Sequence, residues 1–192
     1  GDSADVYIFG DITSYAWEGT GDMSAYNLSK QLDELGDVKQ INVRINSYGG
    51  EVAEGLAIFN SLRNHKAKVT TICDGFACSI ASVIFMAGDE RIMNDSSLLM
   101  IHNAWTFAEG NAGQLRKLAH DLEKINEASV KAYLSKVSIS EEELKDLMDS
   151  ETWISPEDAV ELGFATSVKK DESEKPSQSA RKKVQRMILN PY

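Results

Sequence analysis

The sequence predicts an α/β domain of stacked β-β-α units, and three observations predict it. Ile41-Asn42-Val43-Arg44-Ile45-Asn46 alternates strictly between apolar and polar residues, the pattern of a strand with one buried face. Immediately after the break at Ser47-Tyr48-Gly49-Gly50 the period changes to a helical one through Val52, Leu56, Ile58, Phe59 and Leu62. The succession strand, turn, helix then recurs, and in the first two units the turn carries glycine, which points to an α/β architecture.

The elements follow in order. Val6 to Phe9 is a short β-rich run ending at Gly10-Asp11. Residues 20–36 read as a helix capped by Ser24, with apolar positions at Tyr26, Leu28 and Leu32 and a stop at Gly36. Val69 to Cys73 reads as a strand, Gly75 interrupts it, and Ile80 to Ala87 follows as a buried helix. Leu98 to Ile101 is a further strand that ends directly at His102. A long helix is expected over 113–136, with Leu115, Leu118, Leu122, Ile125 and Ala132 forming a narrow apolar seam. That seam either packs on its own domain or protrudes to meet a neighbouring subunit. Ser140-Glu141-Glu142-Glu143 is a capping box, and Ser155-Pro156 opens a short helix that Gly163 closes. From Lys169 the composition turns to Lys, Ser, Glu and Gln. One domain is expected over 1–168, followed by a charged, flexible tail over 169–192.

Charge and composition exclude several functions. The chain has 192 residues, 42% hydrophobic and 26% charged, the balance of a soluble globular protein. No apolar run reaches the roughly 20 residues that span a bilayer, and no signal peptide is visible at Gly1–Asp5, so a cytoplasmic location and no membrane partner are expected. The net charge is −10, and residues 169–192 hold seven Lys/Arg against three Asp/Glu. That leaves thirteen basic against twenty-seven acidic side chains in the body, which repels phosphate backbones and speaks against nucleic acid as a partner. Cys73 and Cys78 have no second cysteine pair and no histidine at ligand spacing, so no metal is expected and both read as reduced core thiols.

Three segments carry chemistry. In Gly75-Phe76-Ala77-Cys78-Ser79-Ile80-Ala81-Ser82, Gly75 permits a sharp turn, and Ser79 falls at a helix N-terminus whose free N–H groups favour developing negative charge. The Ile80 amide is one candidate oxyanion donor. Taken alone, the same segment reads first as a serine N-cap in a close-packed turn. Gly49-Gly50 follows a strand and lets an extended backbone approach a ligand, either as a plain turn or with the Gly50 amide as a second oxyanion donor. The strip Gly49-Gly50-Glu51 could then pair with substrate as an added strand. His102 closes the run Leu98-Leu99-Met100-Ile101, whereas His65 lies in a polar turn and His120 off the helix stripe. By elimination His102 is the histidine placed to act as a base.

Together these segments resemble the Clp protease proteolytic subunit family. Its Asn-Ser-Pro-Gly-Gly loop looks like Asn46 to Gly50, and its Gly-x-Ala-x-Ser motif like Gly75-x-Ala77-x-Ser79. Its Met-Ile-His corresponds to Met100-Ile101-His102, and its later Ser-x-Glu-x-Ala-Val-Glu-x-Gly to Ser155–Gly163. The resemblance covers about residues 5–168. It implies a superhelix of β-β-α units of the crotonase type, with the long helix as a handle between seven-membered rings. It also implies a cytoplasmic serine endopeptidase without cofactor, acting on peptides or unfolded proteins inside a chamber and often fed by an AAA+ unfoldase. Ser79 would be the nucleophile, His102 the base, Gly50 and Ile80 the oxyanion hole, and 108–113 the flexible handle turn.

Three differences from the family pattern stand out. Tyr48 replaces the loop proline, which loosens the turn. The sequence begins close to its first strand, so the axial loops that meet an unfoldase are expected to be short or missing, which counts against an unfoldase partner. The family's third triad residue, Asp, falls on Glu151, with Asp149 two positions earlier as the rival. Glu151-Thr152-Trp153 resembles the phage and prophage branch, whose substrates are capsid proteins. Competing readings are a crotonase-fold acyl-CoA hydratase or thioesterase and a catalytically silent ring subunit.

Overall fold

A computed structural model of the chain describes residues 2–17 and 19–170. The elements run β1 (Ser3–Ile8), α1 (Ala25–Glu34), β2 (Gln40–Ser47), α2 (Val52–Arg63), β3 (Lys68–Cys78), α3 (Ile80–Phe85) and β4 (Glu90–Asn94). They continue with β5 (Leu98–Ile101), α4 (Ala112–Leu134), α5 (Glu141–Asp149), β6 (Thr152–Ile154), α6 (Pro156–Leu162) and β7 (Ser167–Lys169). The strands β1-β2-β3-β4-β7 lie side by side and parallel, β5 joins β3 in parallel, and β6 runs antiparallel to β5. The alternation and the period changes predict an α/β architecture, and the structure adds that its sheet is mostly parallel.

The alternating strand lies in the middle of the sheet's first half. Ile41, Val43, Ile45 and Ser47 of β2 are buried, and Val43 pairs with Val6 and Thr71 on either side. β3 is the element that shapes the site, and here the expectation needs correction. Gly75 does not end the strand, which runs on to Cys78. Its pairing with β2 instead shifts register, from Ile45↔Cys73 to Ser47↔Ala77. The first half of β3 pairs with β4 through Thr70–Cys73, and the second half pairs with β5 through Phe76–Cys78. Gly75 sits where the strand changes partners. A Cβ there would come within 2.5 Å of Asn46 Oδ1, which instead accepts a hydrogen bond from the Phe76 amide at 3.1 Å. The irregularity bends β3, as bulges do, and one strand feeds two edges.

Helix signals are borne out by the caps. Ser24 accepts from Asn27 N, the Ser140/Glu143 capping box is complete, Ser155 caps α6, and Gly163 takes φ 87 at its end. Tyr26 differs from the reading: it is exposed, with the Lys30 ammonium over its ring, while Leu28 and Leu32 carry the buried face. α3 is buried along its whole length. α4 divides into two parts. Ser129, Val130, Ala132 and Tyr133 are buried against the domain, whereas Leu115 and Ile125 are exposed and Leu118 and Leu122 only half-covered.

Three strands escape the sequence reading. β4 buries Arg91 and Met93 and leaves Ile92 half-exposed, so its inward face does not look apolar. The Arg91 guanidinium donates to the carbonyls of Phe164, Gly88 and Gly163 at 2.7, 3.1 and 3.3 Å, fastening the end of α6 to the sheet. Burial holds its pKa below the usual arginine range. β6 and β7 have three residues each, too few for a period to show. Of the expected 169–192 tail, residues 171–192 lie outside the described residues. Among the described residues no helix is long and apolar enough to cross a membrane.

Candidate active site

The turn between β3 and α3 is a single residue, Ser79. Its backbone has φ 54 and ψ −128, a region that side chains other than glycine rarely enter and that costs on the order of 1–3 kcal/mol. Both of its backbone groups are tied. The Ser79 amide donates to Met100 O at 2.8 Å, extending the β3–β5 ladder by one step. The Ser79 carbonyl accepts from the Ser82 amide at 3.0 Å and from the Ser82 hydroxyl at 2.5 Å. The side chain makes no capping bond to α3. Its hydroxyl instead meets His102 Nε2 at 2.7 Å.

His102 stands one residue past the end of β5, two residues beyond the carbonyl that holds Ser79. The shared β3–β5 edge therefore sets the spacing of the pair. On its other side, His102 Nδ1 lies 3.3 Å from Glu151 Oε1. Glu151 follows the C-cap of α5 and has φ 48, which turns the chain from helix into β6 within one residue. β6 pairs Thr152 with Ile101, next to His102, and so brings Glu151 to the ring. Asp149, the rival acid, accepts instead from Asn103 Nδ2 at 2.7 Å. The longer glutamate is thus accommodated by its own left-handed backbone.

The double glycine packs directly against this turn. A Cβ on Gly49, at φ 101, would lie 2.9 Å from Ser79 Cβ, and one on Gly50 would fall 2.0 Å from Ile12 O. Ile12 occupies one edge of the strip: its amide donates to Gly49 O at 3.0 Å, and its carbonyl accepts from Glu51 N at 2.8 Å. The Gly50 and Ile80 amides have no backbone acceptor among the described residues. Glu51, read from sequence as part of the substrate strip, lines the cleft that holds Ser79 and His102. Its carboxylate accepts from Thr13 Oγ1 and from both Ser14 N and Ser14 Oγ at 2.9 to 3.2 Å, and these bonds hold its pKa below the usual range. The turn that Tyr48 was expected to loosen is stapled by Ser47, whose hydroxyl donates to Gly10 O at 2.7 Å and accepts from Gly49 N at 3.1 Å. The Tyr48 ring packs edge-on against Phe76, and Phe76 against Trp153.

Ser79 and His102 open into a cleft of about 530 Å³ lined by Ile12, Tyr48, Gly49, Gly50, Met100 and Trp105, among others. The remaining histidines lie elsewhere: His65 Nδ1 accepts from Ala67 N, and His120 faces Glu123 on α4. Burial pushes the Cys73 thiol up to about 12 and the Cys78 thiol up to about 11, so neither offers a thiolate near neutral pH. Among the described residues no group of three or more His, Cys, Asp or Glu side chains is arranged to hold a metal ion. The sequence reading missed Ile12, Ser82, Asn103 and Asn126. Ala104, two residues past His102, donates its amide to Asn126 Oδ1 at 2.8 Å. Only the polar Asn103 beside His102 carried any signal of these contacts.

A hydroxyl held against one imidazole nitrogen, a carboxylate near the other and glycine-flanked amides alongside form the constellation of acyl-transfer hydrolases. A family model described as Clp protease matches residues 19–172. The chain is similar to the ATP-dependent Clp protease proteolytic subunit of Deinococcus radiodurans, 36% identical over 139 residues that cover 71% of this chain and 68% of that protein. It is 30% identical over 152 residues to the protein of the same name from Bacteroides fragilis, covering 77% of this chain and 73% of that one. With a matched region that runs from before the double glycine to beyond β7, the chain belongs to the Clp protease family and is a serine-type endopeptidase of that kind.

Proposed function

We propose that this peptidase cleaves peptide bonds with Ser79 as nucleophile, His102 as general base and acid, Glu151 as the orienting carboxylate, and the Gly50 and Ile80 amides as the oxyanion hole. The observation that carries the reading is the 2.7 Å contact between Ser79 Oγ and His102 Nε2, made by a serine in a strained backbone conformation. In the productive tautomer Nδ1–H points to Glu151 and Nε2 is free to accept the serine proton.

The reaction then follows the geometry. As Oγ bonds to the scissile carbonyl carbon, its proton passes to Nε2, and the imidazolium is stabilised by Glu151. The negative charge gathers on the former carbonyl oxygen, where the two amides donate. Nε2 next gives its proton to the leaving amine as the C–N bond breaks, leaving an acyl-serine. Water adds by the same route in reverse order, with His102 taking its proton, and releases a carboxylic acid and free Ser79. Gly49 and Gly50 flank the acyl position, and the edge of their strip opposite Ile12 is the side on which an extended substrate would lie.

Copies of this chain enclose the chamber, and seven-membered rings joined through α4 are the assembly we propose. The exposed Leu115 and Ile125, both ahead of the buried end of that helix, support it, because an exposed apolar seam is stabilised by burial against a partner. The similarity to subunits named as ATP-dependent supports an AAA+ unfoldase as the supplier of unfolded protein and a cytoplasmic setting. The test is fluorophosphonate labelling followed by intact mass and peptide mapping. One adduct per chain on Ser79, abolished in Ser79→Ala, is expected. Stoichiometric labelling elsewhere, or none in an assembled sample, would overturn the reading.

A further inference from the structure

One helix reaches both halves of the proposed Ser79–His102 pair. Asn126 and Tyr133 of α4 are seven residues apart, two turns and about 10.5 Å along one face. Asn126 Oδ1 accepts from the Ala104 amide at 2.8 Å, fixing the chain where it leaves His102. Tyr133 is buried, and its hydroxyl lies 2.7 Å from Ser82 Oγ. Ser82 has one hydroxyl hydrogen, and its bond to the Ser79 carbonyl at 2.5 Å uses it. Tyr133 must therefore donate to Ser82, and the relay runs Tyr133 O–H to Ser82 O–H to Ser79 C=O. Burial pushes the Tyr133 pKa well above the usual phenol range, so the donor keeps its proton.

Neither contact is needed to make α4 helical or to bury it. Each ends on the backbone of a segment that carries a reacting group. Ser79 has a positive φ, and a strained turn of this kind persists only where surrounding bonds over-determine it.

We propose, building on the function given above, that Asn126 and Tyr133 are positioning residues: α4 braces the two segments that carry the Ser79 hydroxyl and the His102 ring, and so holds the spacing that the β3–β5 edge sets. Neither touches substrate. Loosening either end lowers the fraction of time the pair spends at attack distance, which falls on the acylation rate and leaves substrate binding as it was.

The experiment uses the full chain. Asn126→Leu keeps the approximate volume and removes the acceptor, whereas Asn126→Asp keeps an oxygen for the Ala104 amide. Tyr133→Phe removes only the hydroxyl and retains the ring packed on Phe164. Fluorophosphonate labelling is followed to completion to count active sites, and its rate is compared with kcat and KM for a short fluorogenic peptide. Per active site, Asn126→Leu should label and turn over about tenfold more slowly with KM within about twofold, and Tyr133→Phe about threefold more slowly. Asn126→Asp should recover most of the loss. Normalising to active sites removes any effect of partial unfolding. Unchanged rates per site in both Asn126→Leu and Tyr133→Phe, or an Asn126→Asp variant as slow as Asn126→Leu, would overturn the inference while the function stands. Absence of Ser79 labelling in the parent protein would overturn both.

Discussion

Ser79 and Glu151 approach His102 from opposite sides, and the chain holds them in different ways. They are the two non-glycine residues with positive φ among those described, at 54 and 48. Ser79 lies between a strand and a buried helix, with both backbone groups bonded and its hydroxyl 2.7 Å from the ring. Glu151 hangs from the end of α5, with its side chain 72% exposed and its nearest oxygen 3.3 Å from the ring. Both backbones are bent to deliver a side chain, but only the first is embedded in the sheet. The difference teaches where this site keeps its precision. The distance from the Ser79 hydroxyl to the His102 ring is set by β3, β5 and the core, whereas the Glu151 carboxylate is solvated and held by a single turn.

The largest effect should come from the embedded side. Ser79→Ala and His102→Ala should each lower kcat for a peptide substrate by on the order of 10⁵–10⁶, and the double variant should be no worse than either single one. Steady-state hydrolysis, with circular dichroism to verify folding, checks this. A double variant much slower than both would mean the two residues do not act as one unit.

Glu151→Gln should cost less, on the order of 10²–10³ in kcat, with KM nearly unchanged. A buried carboxylate in this role is worth about 10⁴, but a wet carboxylate at a longer distance stabilises the imidazolium less, because water competes for both partners. If Glu151→Gln falls as far as His102→Ala, the contact must tighten in the assembled or substrate-bound enzyme, and the contrast between the two sides disappears.

A third test moves along α4. Leu118→Glu places a charge in the half-covered seam of the outer helix, far from Ser82 and Tyr133. It should convert assembled protein to smaller species on native mass spectrometry, with Tm shifted by only a few degrees and activity reduced about tenfold. A parent protein that is a fully active monomer would remove the handle role from α4.

Much of this layout is legible in the residues themselves. The alternation of β2, the glycine pair, the caps of α1, α5 and α6 and the position of His102 at a strand end are local patterns, and each recurs in the fold. What the text could not show depends on partners distant in sequence. Gly75 looks like a strand terminator until Asn46 is seen filling the space of its absent Cβ. Arg91 hides β4 because its charge is met by the carbonyls of Gly163 and Phe164, more than seventy residues away, together with that of nearby Gly88. The Glu51 carboxylate gives no sign in the sequence of its bonds to Thr13 and Ser14, more than thirty residues away. The choice between Glu151 and Asp149 turns on one left-handed residue, and no periodicity encodes that.

The smallest effect is expected at Asp149, which makes it the sharpest check on the comparison. Asp149 sits two residues before Glu151, carries the residue type that the family pattern has for its acid, and is bonded to the neighbour of the histidine instead of to the histidine. Its partner is the side-chain amide of Asn103 at an exposed site where water competes for both groups, so this bond to a carboxylate is worth about 1.5 kcal/mol, the low end for a charged acceptor. Asp149→Asn retains an oxygen that can accept from Asn103 Nδ2 and should change kcat by less than about threefold. Asp149→Leu removes the acceptor and, if the full bond were expressed in the barrier, would slow the enzyme by no more than about tenfold. Neither variant alters the charge next to His102 Nδ1, so the pH dependence of kcat/KM should keep its parent shape in both, while Glu151→Gln should alter it. Should Asp149→Asn lose a hundredfold while Glu151→Gln keeps nearly full activity, Asp149 would be the orienting acid. The working enzyme would then have to rebuild the end of α5, because a residue now bonded to Asn103 must swing to the ring, and Glu151 must give up the contact its left-handed backbone provides.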